Sequence, residues 1–179
     1  MVPTYRYYRR QLQHFLLRTP ERRMLRKAPA HLFCLDALLT VFPDACIIET
    51  HRPVVEALPS LCSLTSASSG MFSDYVDKGR LGTFWLDRIA NGLQQSRSAR
   101  RSAPASAHFV DVEYAELCAD APGVVRRICE TLGLGFPDGL EAKIRQHLAA
   151  KPKGAKGPHV YSLEEYLLDR DQVNARCAG

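Results

Sequence analysis

An arginine and a serine eight residues apart form the clearest candidate pair for anion chemistry. The apolar run of residues 45–51 ends directly before Arg52, and Ser60 follows inside a helical pattern. A guanidinium at the carboxyl end of a strand offers a planar fork for phosphate oxygens, and a hydroxyl two helical turns further on can contact the same group. The spacing predicts a phosphate site for a nucleotide. The alternative is that Arg52 pairs with a nearby carboxylate such as Glu56, with Ser60 on a helix surface.

A second candidate pair consists of Lys27 and His31, between a short strand-like segment and the start of a helical pattern. A lysine can neutralise the charge that develops on a leaving oxygen, and a histidine can take a proton from an attacking hydroxyl. The pair predicts acid–base chemistry in one cleft. The alternative is that His31 is a helix cap or a surface residue.

Two further places suit a nucleotide. Residues 151–157, which include Lys153 and Gly154, set three lysines among glycines that free the backbone to wrap an anion, although many flexible loops share this composition. Tyr114 follows a strand-like run and could stack on a base, or could pack with its hydroxyl in water. Both places are therefore candidates for nucleotide contacts.

Metal and disulfide chemistry find little support in the sequence. The six histidines are scattered without the spacing of metal ligands, so no metal site is predicted. The six cysteines form no CxxC pair and most lie among apolar neighbours, where a cysteine acts as a small hydrophobe. This usage indicates reduced thiols and a cytoplasmic protein.

The elements that position these residues alternate between strands and helices. The patterns predict strands at 22–27, 45–51 and 107–112, helices at 4–18, 31–42, 54–69, 82–96, 124–132 and 139–150, a short helix from Ser162, and an exposed connection at 97–107. Strands separated by helices of ten or more residues favour parallel pairing through crossovers. Ligands of such sheets bind at the carboxyl ends of the strands.

Composition places the chain among ordinary globular proteins with one uneven charge distribution. Its 179 residues are 46% hydrophobic and 24% charged, which predicts a single domain with a real core. The first thirty residues hold eight basic side chains against Glu21 alone. Such an arm could bind nucleic acid, membrane phosphates or an anionic cofactor, or could be a solvated helix face. No recognition motif accompanies it, so specific nucleic-acid binding is not predicted, and no apolar stretch reaches membrane-spanning length.

Four segments together resemble one family. They are Lys27-Ala-Pro-Ala-His31-Leu, Ile47-Ile-Glu-Thr-His51-Arg52 with Ser60, Phe109-Val-Asp-Val-Glu-Tyr114-Ala-Glu-Leu117, and Lys153-Gly154-Ala-Lys-Gly157-Pro-His-Val-Tyr161-Ser-Leu163. In order and spacing the chain resembles the carboxyl-terminal part of a bacterial, mycobacterial-like sulfotransferase from roughly residue 5 to residue 170. The resemblance implies a P-loop-NTPase-like α/β fold, with a three-layer parallel sheet flanked by helices. It also implies that 3′-phosphoadenosine 5′-phosphosulfate donates a sulfuryl group to a hydroxyl or an amine, without a metal.

The resemblance also implies roles for the nucleotide candidates. Arg52 and Ser60 match the family's ligands of the 3′-phosphate, and Tyr114 matches a residue near the adenine. The loop of Lys153 and Gly154 matches the segment that folds over the 3′-phosphate. The site is therefore expected to hold the donor from several directions.

The same resemblance assigns the reacting groups. Lys27 matches the lysine of a KxP-type strand end and would stabilise the leaving group, and His31 is the candidate general base. The acceptor is an unknown small molecule, lipid or glycan, because the pocket walls that choose it are not all in this stretch of sequence.

The departures from the family shape the remaining expectations. The family begins with a strand and a Gly/Ser/Thr-rich loop that cradles the 5′-phosphosulfate, and nothing before Tyr5 supplies either. Residues 1–179 are therefore expected to form one incomplete domain with impaired transfer and a sheet edge open to self-association or pairing. The family also has aspartate and proline after the arginine, where this chain has Arg52-Pro53-Val54.

Two rival hypotheses are a non-catalytic remnant that binds nucleotide or pairs with another chain, and a basic module associated with nucleic acid.

Overall fold

The computed structural model describes residues 1–151 and 160–178. Within them the chain forms two compact units. Unit 1 comprises Met1–Ala45 and Arg88–His108, and unit 2 comprises Cys46–Asp87 and Phe109–Ala178.

Helices dominate both units. In chain order the elements are α1 (Val2–Leu16), a 3₁₀ helix (Pro29–Phe33), α2 (Leu35–Val41), β1 (Cys46–His51), α3 (Val54–Ser69), α4 (Lys78–Arg101), β2 (His108–Glu113), α5 (Tyr114–Ala119), α6 (Ala121–Thr131), α7 (Leu140–Ala150), a second 3₁₀ helix (Glu164–Tyr166) and α8 (Arg170–Cys177). No helix of the described residues combines the length and the apolar composition needed to cross a bilayer.

Unit 1 is built on the packing of α1 against α2. Pro3 lies in the first turn of α1, where its missing N–H costs nothing, and Tyr5 is buried while Leu12 and Leu16 are half-buried. These positions recur at three- and four-residue steps, so one stripe of the helix packs inward and the rest remains exposed.

The expected single helix over residues 31–42 is wrong. Pro29 begins a 3₁₀ helix instead, and Cys34, with φ of −150°, leaves the helical region before α2 begins at Leu35. Five residues of α2 are nevertheless buried, as its apolar pattern predicts: Leu35, Ala37, Leu38, Leu39 and Val41.

The expected strand over residues 22–27 is also wrong, so Lys27 is not at a strand end. These residues have no regular secondary structure and almost all are exposed. A strand exists through hydrogen bonds to a neighbour, and the two strands of the described sheet, β1 and β2, pair with each other. A short alternation of apolar and charged residues cannot form a strand alone.

Helix α4 is longer than its periodicity predicts, because residues 97–101 continue the helix instead of forming an exposed connection. This stretch lacks glycine and proline, and Ala99 is only 7% exposed. In unit 2, Gly82 lets α4 approach the chain at Tyr166 closely. A Cβ atom at Gly82 would lie 2.4 Å from the Tyr166 carbonyl oxygen.

The sheet of unit 2 brings two strand ends together. Helices α3 and α4 connect β1 to β2, and the pairing is parallel. At the carboxyl ends, His51 Nε2 lies 2.7 Å from Asp111 Oδ1. On β2, Val110 and Val112 are buried with Val124 of α6 in one apolar cluster. The predicted α/β class with parallel strands is confirmed.

Short elements complete unit 2. Tyr114 begins α5 and does not close a strand, Asp120 caps α6 by accepting a hydrogen bond from Gly123 N–H, and Gly133 ends this region with φ of +59°. Helix α8 packs on α3, where Val173 and Cys62 are fully buried. The sequence did not predict α5 or α8, because six to eight residues give little periodicity.

Candidate functional site

The candidate anion site begins at the junction of β1 and α3. The strand ends at His51, and Pro53 takes an extended conformation as the residue before α3. Arg52 and Pro53 are therefore the two residues between the sheet and the helix, and Ser60 lies about two turns along from Arg52, in α3. The departure from the family at Pro53 leaves this strand-to-helix junction intact.

The Arg52 guanidinium has three neighbours. Its Nε donates to Glu56 Oε2 at 3.2 Å, and its Cζ lies 5.1 Å from the centre of the Tyr114 ring. Burial has the largest single effect on the pKa of Arg52 and lowers it, but the interactions with the Tyr161 hydroxyl and with Glu56 together raise this pKa above its ordinary value. The pairing with Glu56 is the one that the alternative interpretation predicted. It coexists with the contact to Tyr161.

Tyr161 joins the two residues that the sequence singled out. Hydrogen bonds from the Ser60 hydroxyl and from the Arg52 guanidinium lower the pKa of the Tyr161 phenol, Ser60 having the larger effect. Both groups can lower this pKa only if they lie close to the same phenol. The structure therefore brings Arg52 and Ser60 together beside the Tyr161 hydroxyl.

An open hollow of about 410 Å³ adjoins this point. Its lining comes from α3, from the chain around the second 3₁₀ helix and from the start of α8: Arg52, Val55, Glu56, Pro59, Tyr161, Ser162, Leu163, Glu164 and Arg170. Two guanidiniums and two carboxylates contribute charges of opposite sign, so the lining as a whole is close to neutral. Hydrogen bonds from its own backbone N–H and from Ser162 lower the pKa of Glu164, which keeps this carboxyl ionised.

Pro59 shapes the helical wall of the hollow. It lies inside α3 and has no N–H to donate to the carbonyl of Val55 one turn earlier. Both residues line the hollow, so one backbone acceptor of α3 lacks its usual partner on the wall that faces the site.

The predicted catalytic pair lies in unit 1. His31 is half-buried in the first 3₁₀ helix, and its Nδ1 is 2.8 Å from the Tyr5 hydroxyl. Burial lowers the pKa of His31 and raises the pKa of Tyr5 to about 12. A tautomer that donates from Nδ1 to the Tyr5 oxygen leaves Nε2 free to accept a proton, as a base requires. Lys27 is exposed in the irregular segment before this helix.

The lowered pKa of His31 predicts a pH effect on stability. Folding favours the neutral imidazole. The contribution of His31 to the free energy of unfolding is therefore complete above its ordinary pKa of 6.5 and is lost as the pH falls through its lower pKa in the folded state. We expect the thermal midpoint of His31→Gln to fall less than that of the natural chain between neutral pH and pH about 5. His14→Gln, which replaces an exposed histidine of the same unit, should retain the natural pH dependence. Equal slopes for all three proteins would contradict the assignment.

Two predicted ligands lie outside the described residues, namely Lys153 and Gly154. Conversely, the sequence analysis gave no role to Tyr161 or Arg170. Tyr161 belongs to a segment that carries the family resemblance, which was the available signal. Arg170 begins a short helix with no apolar periodicity, so nothing in the sequence indicated its position in the hollow.

Three side chains at the strand ends could hold a metal ion, although no metal site was predicted. One ligand atom each from Glu49, His51 and Asp111 lies within 4.8 Å of the others. The His51 ring is already bonded to Asp111, and both carboxylates have further interactions. We therefore base no function on this cluster.

Comparison with known proteins identifies relatives of most of the chain. The family model described as "Sulfotransferase family" matches residues 3–138. The Omega-hydroxy-beta-dihydromenaquinone-9 sulfotransferases Stf3 of Mycobacterium bovis and Mycobacterium tuberculosis are each 29% identical over 129 residues. Each match covers 69% of this chain and 32% of the relative. The chain thus spans about a third of the length of these curated proteins.

Solved structures agree with the sequence matches. The sulfotransferase STF1 from Mycobacterium tuberculosis is 35% identical, with a TM-score of 0.75 over 91% of this chain and 41% of its own. The sulfotransferase STF9 from Mycobacterium avium is 28% identical, with a TM-score of 0.74 over 85% of this chain and 39% of its own. These similarities confirm the predicted sulfotransferase-type α/β fold, and the chain belongs to the sulfotransferase family.

Proposed function

We propose that this chain binds 3′-phosphoadenosine 5′-phosphosulfate through Arg52 and Ser60, as part of a sulfotransferase that modifies a hydroxyl group. The 3′-phosphate of the donor would lie in the hollow beside α3. Family membership supports the reaction class, and the local geometry supports the position of the phosphate.

One observation carries the proposal. Ser60 and Arg52 both lie close enough to the Tyr161 hydroxyl to lower its pKa, and a phosphate oxygen is an acceptor that the same two donors can hold. The phenol oxygen therefore marks a point at which an oxygen of the 3′-phosphate would receive both contacts. On binding, the phosphate would replace Tyr161 and Glu56 as partners of the guanidinium.

The remaining contacts extend the same site. The Tyr114 ring already lies against the guanidinium, which supports its assignment beside the adenine. Lys153 and Gly154 are proposed to cover the 3′-phosphate on the family's pattern. Arg170, in the lining of the hollow, adds a second guanidinium.

The proposed reaction moves a sulfuryl group between two oxygens. The bond from sulfur to the phosphate oxygen of the donor breaks, a bond from sulfur to the acceptor oxygen forms, and adenosine 3′,5′-bisphosphate leaves. His31 is proposed to take the hydroxyl proton, and Lys27 is proposed to neutralise charge on the leaving phosphate. No step uses a metal.

The Gly/Ser/Thr-rich loop for the 5′-phosphosulfate is not in the stretch described, so we propose that these 179 residues alone transfer sulfate poorly. Donors aimed at the transferred group dominate such reactions, and loss of one costs about a hundredfold to a thousandfold in rate.

The name of the Stf3 relatives refers to a hydroxylated menaquinone. It supports a hydroxyl on a lipophilic molecule as the acceptor.

The cysteines support the proposed cytoplasmic location. None of the six forms a disulfide, and burial raises the pKa of Cys62 to about 11, so this thiol stays protonated and unreactive. A reducing compartment keeps such thiols unpaired.

Calorimetric titration with adenosine 3′,5′-bisphosphate tests the proposal directly. We expect saturable binding with one nucleotide per chain. Absence of heat and of thermal stabilisation at millimolar nucleotide would overturn the proposed function.

Glu56 should weaken nucleotide binding. Its carboxylate pairs with Arg52 and lines the hollow, so it both competes with the phosphate and repels it. We expect Glu56→Gln to bind adenosine 3′,5′-bisphosphate several-fold more tightly, since this half-exposed pair is worth at most about 1 kcal/mol. Glu141→Gln makes the same change in net charge outside the lining and should leave the affinity unchanged. Weaker binding by Glu56→Gln would contradict the proposed exchange of partners.

A further inference from the structure

Apart from Lys27, a basic surface in unit 1 is not used by the proposed nucleotide site. It comprises α1 and the irregular segment of residues 17–28, and we call it the basic arm. Its cationic side chains are all exposed: Arg6, Arg9, Arg10, Arg18, Arg22, Arg23, Arg26 and Lys27. Glu21 is the one acidic residue in this stretch, so the arm carries a strong excess of positive charge.

The arginines of the arm are largely available to an external anion. No ion pair of the described residues involves any of the eight cations. Three of them, Arg6, Arg9 and Arg10, line an open hollow of about 340 Å³ together with residues of α2. Arg9 Nη1 also donates to the Val41 carbonyl at 3.2 Å, which holds one of these guanidiniums in place.

Large apolar side chains are interleaved with these cations and lie in water. Phe15, Leu17 and Leu25 are 67%, 70% and 85% exposed. The Arg26 guanidinium lies 5.8 Å from the centre of the Phe15 ring, so the segment folds back toward the end of α1. Apolar side chains flanked by arginines suit a surface that presents phosphates above hydrocarbon.

We propose that the basic arm binds an anionic membrane surface, with its arginines at the lipid phosphates and Leu17, Leu25 and Phe15 in the outer hydrocarbon. A nucleic acid would satisfy the arginines but offers nothing to exposed aliphatic side chains such as Leu25. The buried stripe of α1 is already packed in unit 1, so insertion is shallow and the attraction is mainly electrostatic. Binding should therefore weaken steeply with added salt.

Sedimentation with lipid vesicles tests this inference. We expect the 179-residue chain to bind vesicles of phosphatidylcholine mixed with phosphatidylglycerol and not vesicles of phosphatidylcholine alone. The triple variant Arg22→Gln, Arg23→Gln, Arg26→Gln should bind about a hundredfold more weakly, since each basic residue near the surface contributes about 1 kcal/mol. Leu25→Ser should also weaken vesicle binding, and it should reduce the fraction of the chain that stays bound to vesicles at high salt.

A matched control separates local from overall charge. The triple variant Arg80→Gln, Lys143→Gln, Arg145→Gln removes three exposed cations of unit 2 and should bind as the natural chain does. Equal losses in both triple variants, or vesicle binding without anionic lipid, would overturn the proposal. The proposal would also be overturned if the chain did not bind vesicles but bound a DNA duplex tightly, and if the first triple variant lost that DNA binding. Unchanged thermal midpoints and unchanged affinity for adenosine 3′,5′-bisphosphate show that the variants remain folded.

Discussion

Arg52→Ala should abolish the thermal stabilisation that adenosine 3′,5′-bisphosphate gives to the natural chain. A ligand at a hundred times its dissociation constant stabilises a protein by about 2.7 kcal/mol, or on the order of 5–10 °C at this size. Hydrogen bonds to charged groups contribute about 1.5–3 kcal/mol each, so losing the guanidinium should weaken binding roughly a hundredfold or more. At a nucleotide concentration only a few times the dissociation constant of the natural chain, no shift in the thermal midpoint of the variant should remain.

The free variant should unfold close to the natural midpoint. The Arg52 side chain is 33% exposed, and its pair with Glu56 is of the surface kind that contributes little. Arg52→Lys keeps the charge without the fork and should bind with intermediate affinity.

Arg145→Ala is a close control for this experiment. Arg145 also pairs with a glutamate four residues away, Glu141, but lies outside the lining of the hollow. It should leave the stabilisation by nucleotide intact. If nucleotide raised the thermal midpoint of Arg52→Ala as much as that of the natural chain, the phosphate would not bind at Arg52.

Gly82→Ala should destabilise unit 2, although alanine is the better helix former. The added Cβ would lie 2.4 Å from the Tyr166 carbonyl oxygen, a backbone atom that cannot rotate away. Overpacking of this kind costs about 1–3 kcal/mol, and the main chain at Tyr166 leads directly from the wall of the hollow. We expect a thermal midpoint lower by about 5 °C, together with weaker nucleotide binding.

Gly79→Ala provides the matched comparison one turn earlier in α4. There the added Cβ would lie 2.8 Å from Cδ1 of Leu167, the end of a side chain that is 81% exposed and free to turn. The gain in helix propensity should dominate and stabilise the protein by up to about 1 kcal/mol. Urea unfolding of both variants distinguishes the two sites. Equal stability of the two would mean that α4 and the Tyr166 segment do not approach as closely as described.

Local signals in the sequence were sufficient for some elements. Residues 54–69 were predicted as a helix and α3 has the same bounds, with Pro53 and Gly70 at its two ends. The strand before Arg52 was equally clear, since an apolar run of that length between Pro43 and Pro53 suits a strand, although the residues of β1 are exposed or half-buried and none is fully buried. The position of Arg52 at the junction of strand and helix followed from those two elements, and its role as a nucleotide ligand stays a prediction.

Other features depend on partners distant in sequence. The strand predicted at residues 22–27 required a neighbour that the described sheet does not provide. The position of Tyr161, about a hundred residues from Arg52 and Ser60, is set by how the chain returns to α3, which no local pattern encodes. For Lys27 and His31 the sequence gave a chemical hypothesis, and their catalytic roles stay predictions.

The near-neutral lining of the hollow has a consequence for selectivity inside a cell. Abundant inorganic phosphate meets an arginine that already has Glu56 and Tyr161 as partners, so a small anion gains little by displacing them. A nucleotide brings a base and a second phosphate, whose additional contacts offset that exchange. In the proposed function, the site would therefore discriminate against small anions and favour a nucleotide that carries the same phosphate group on a larger body.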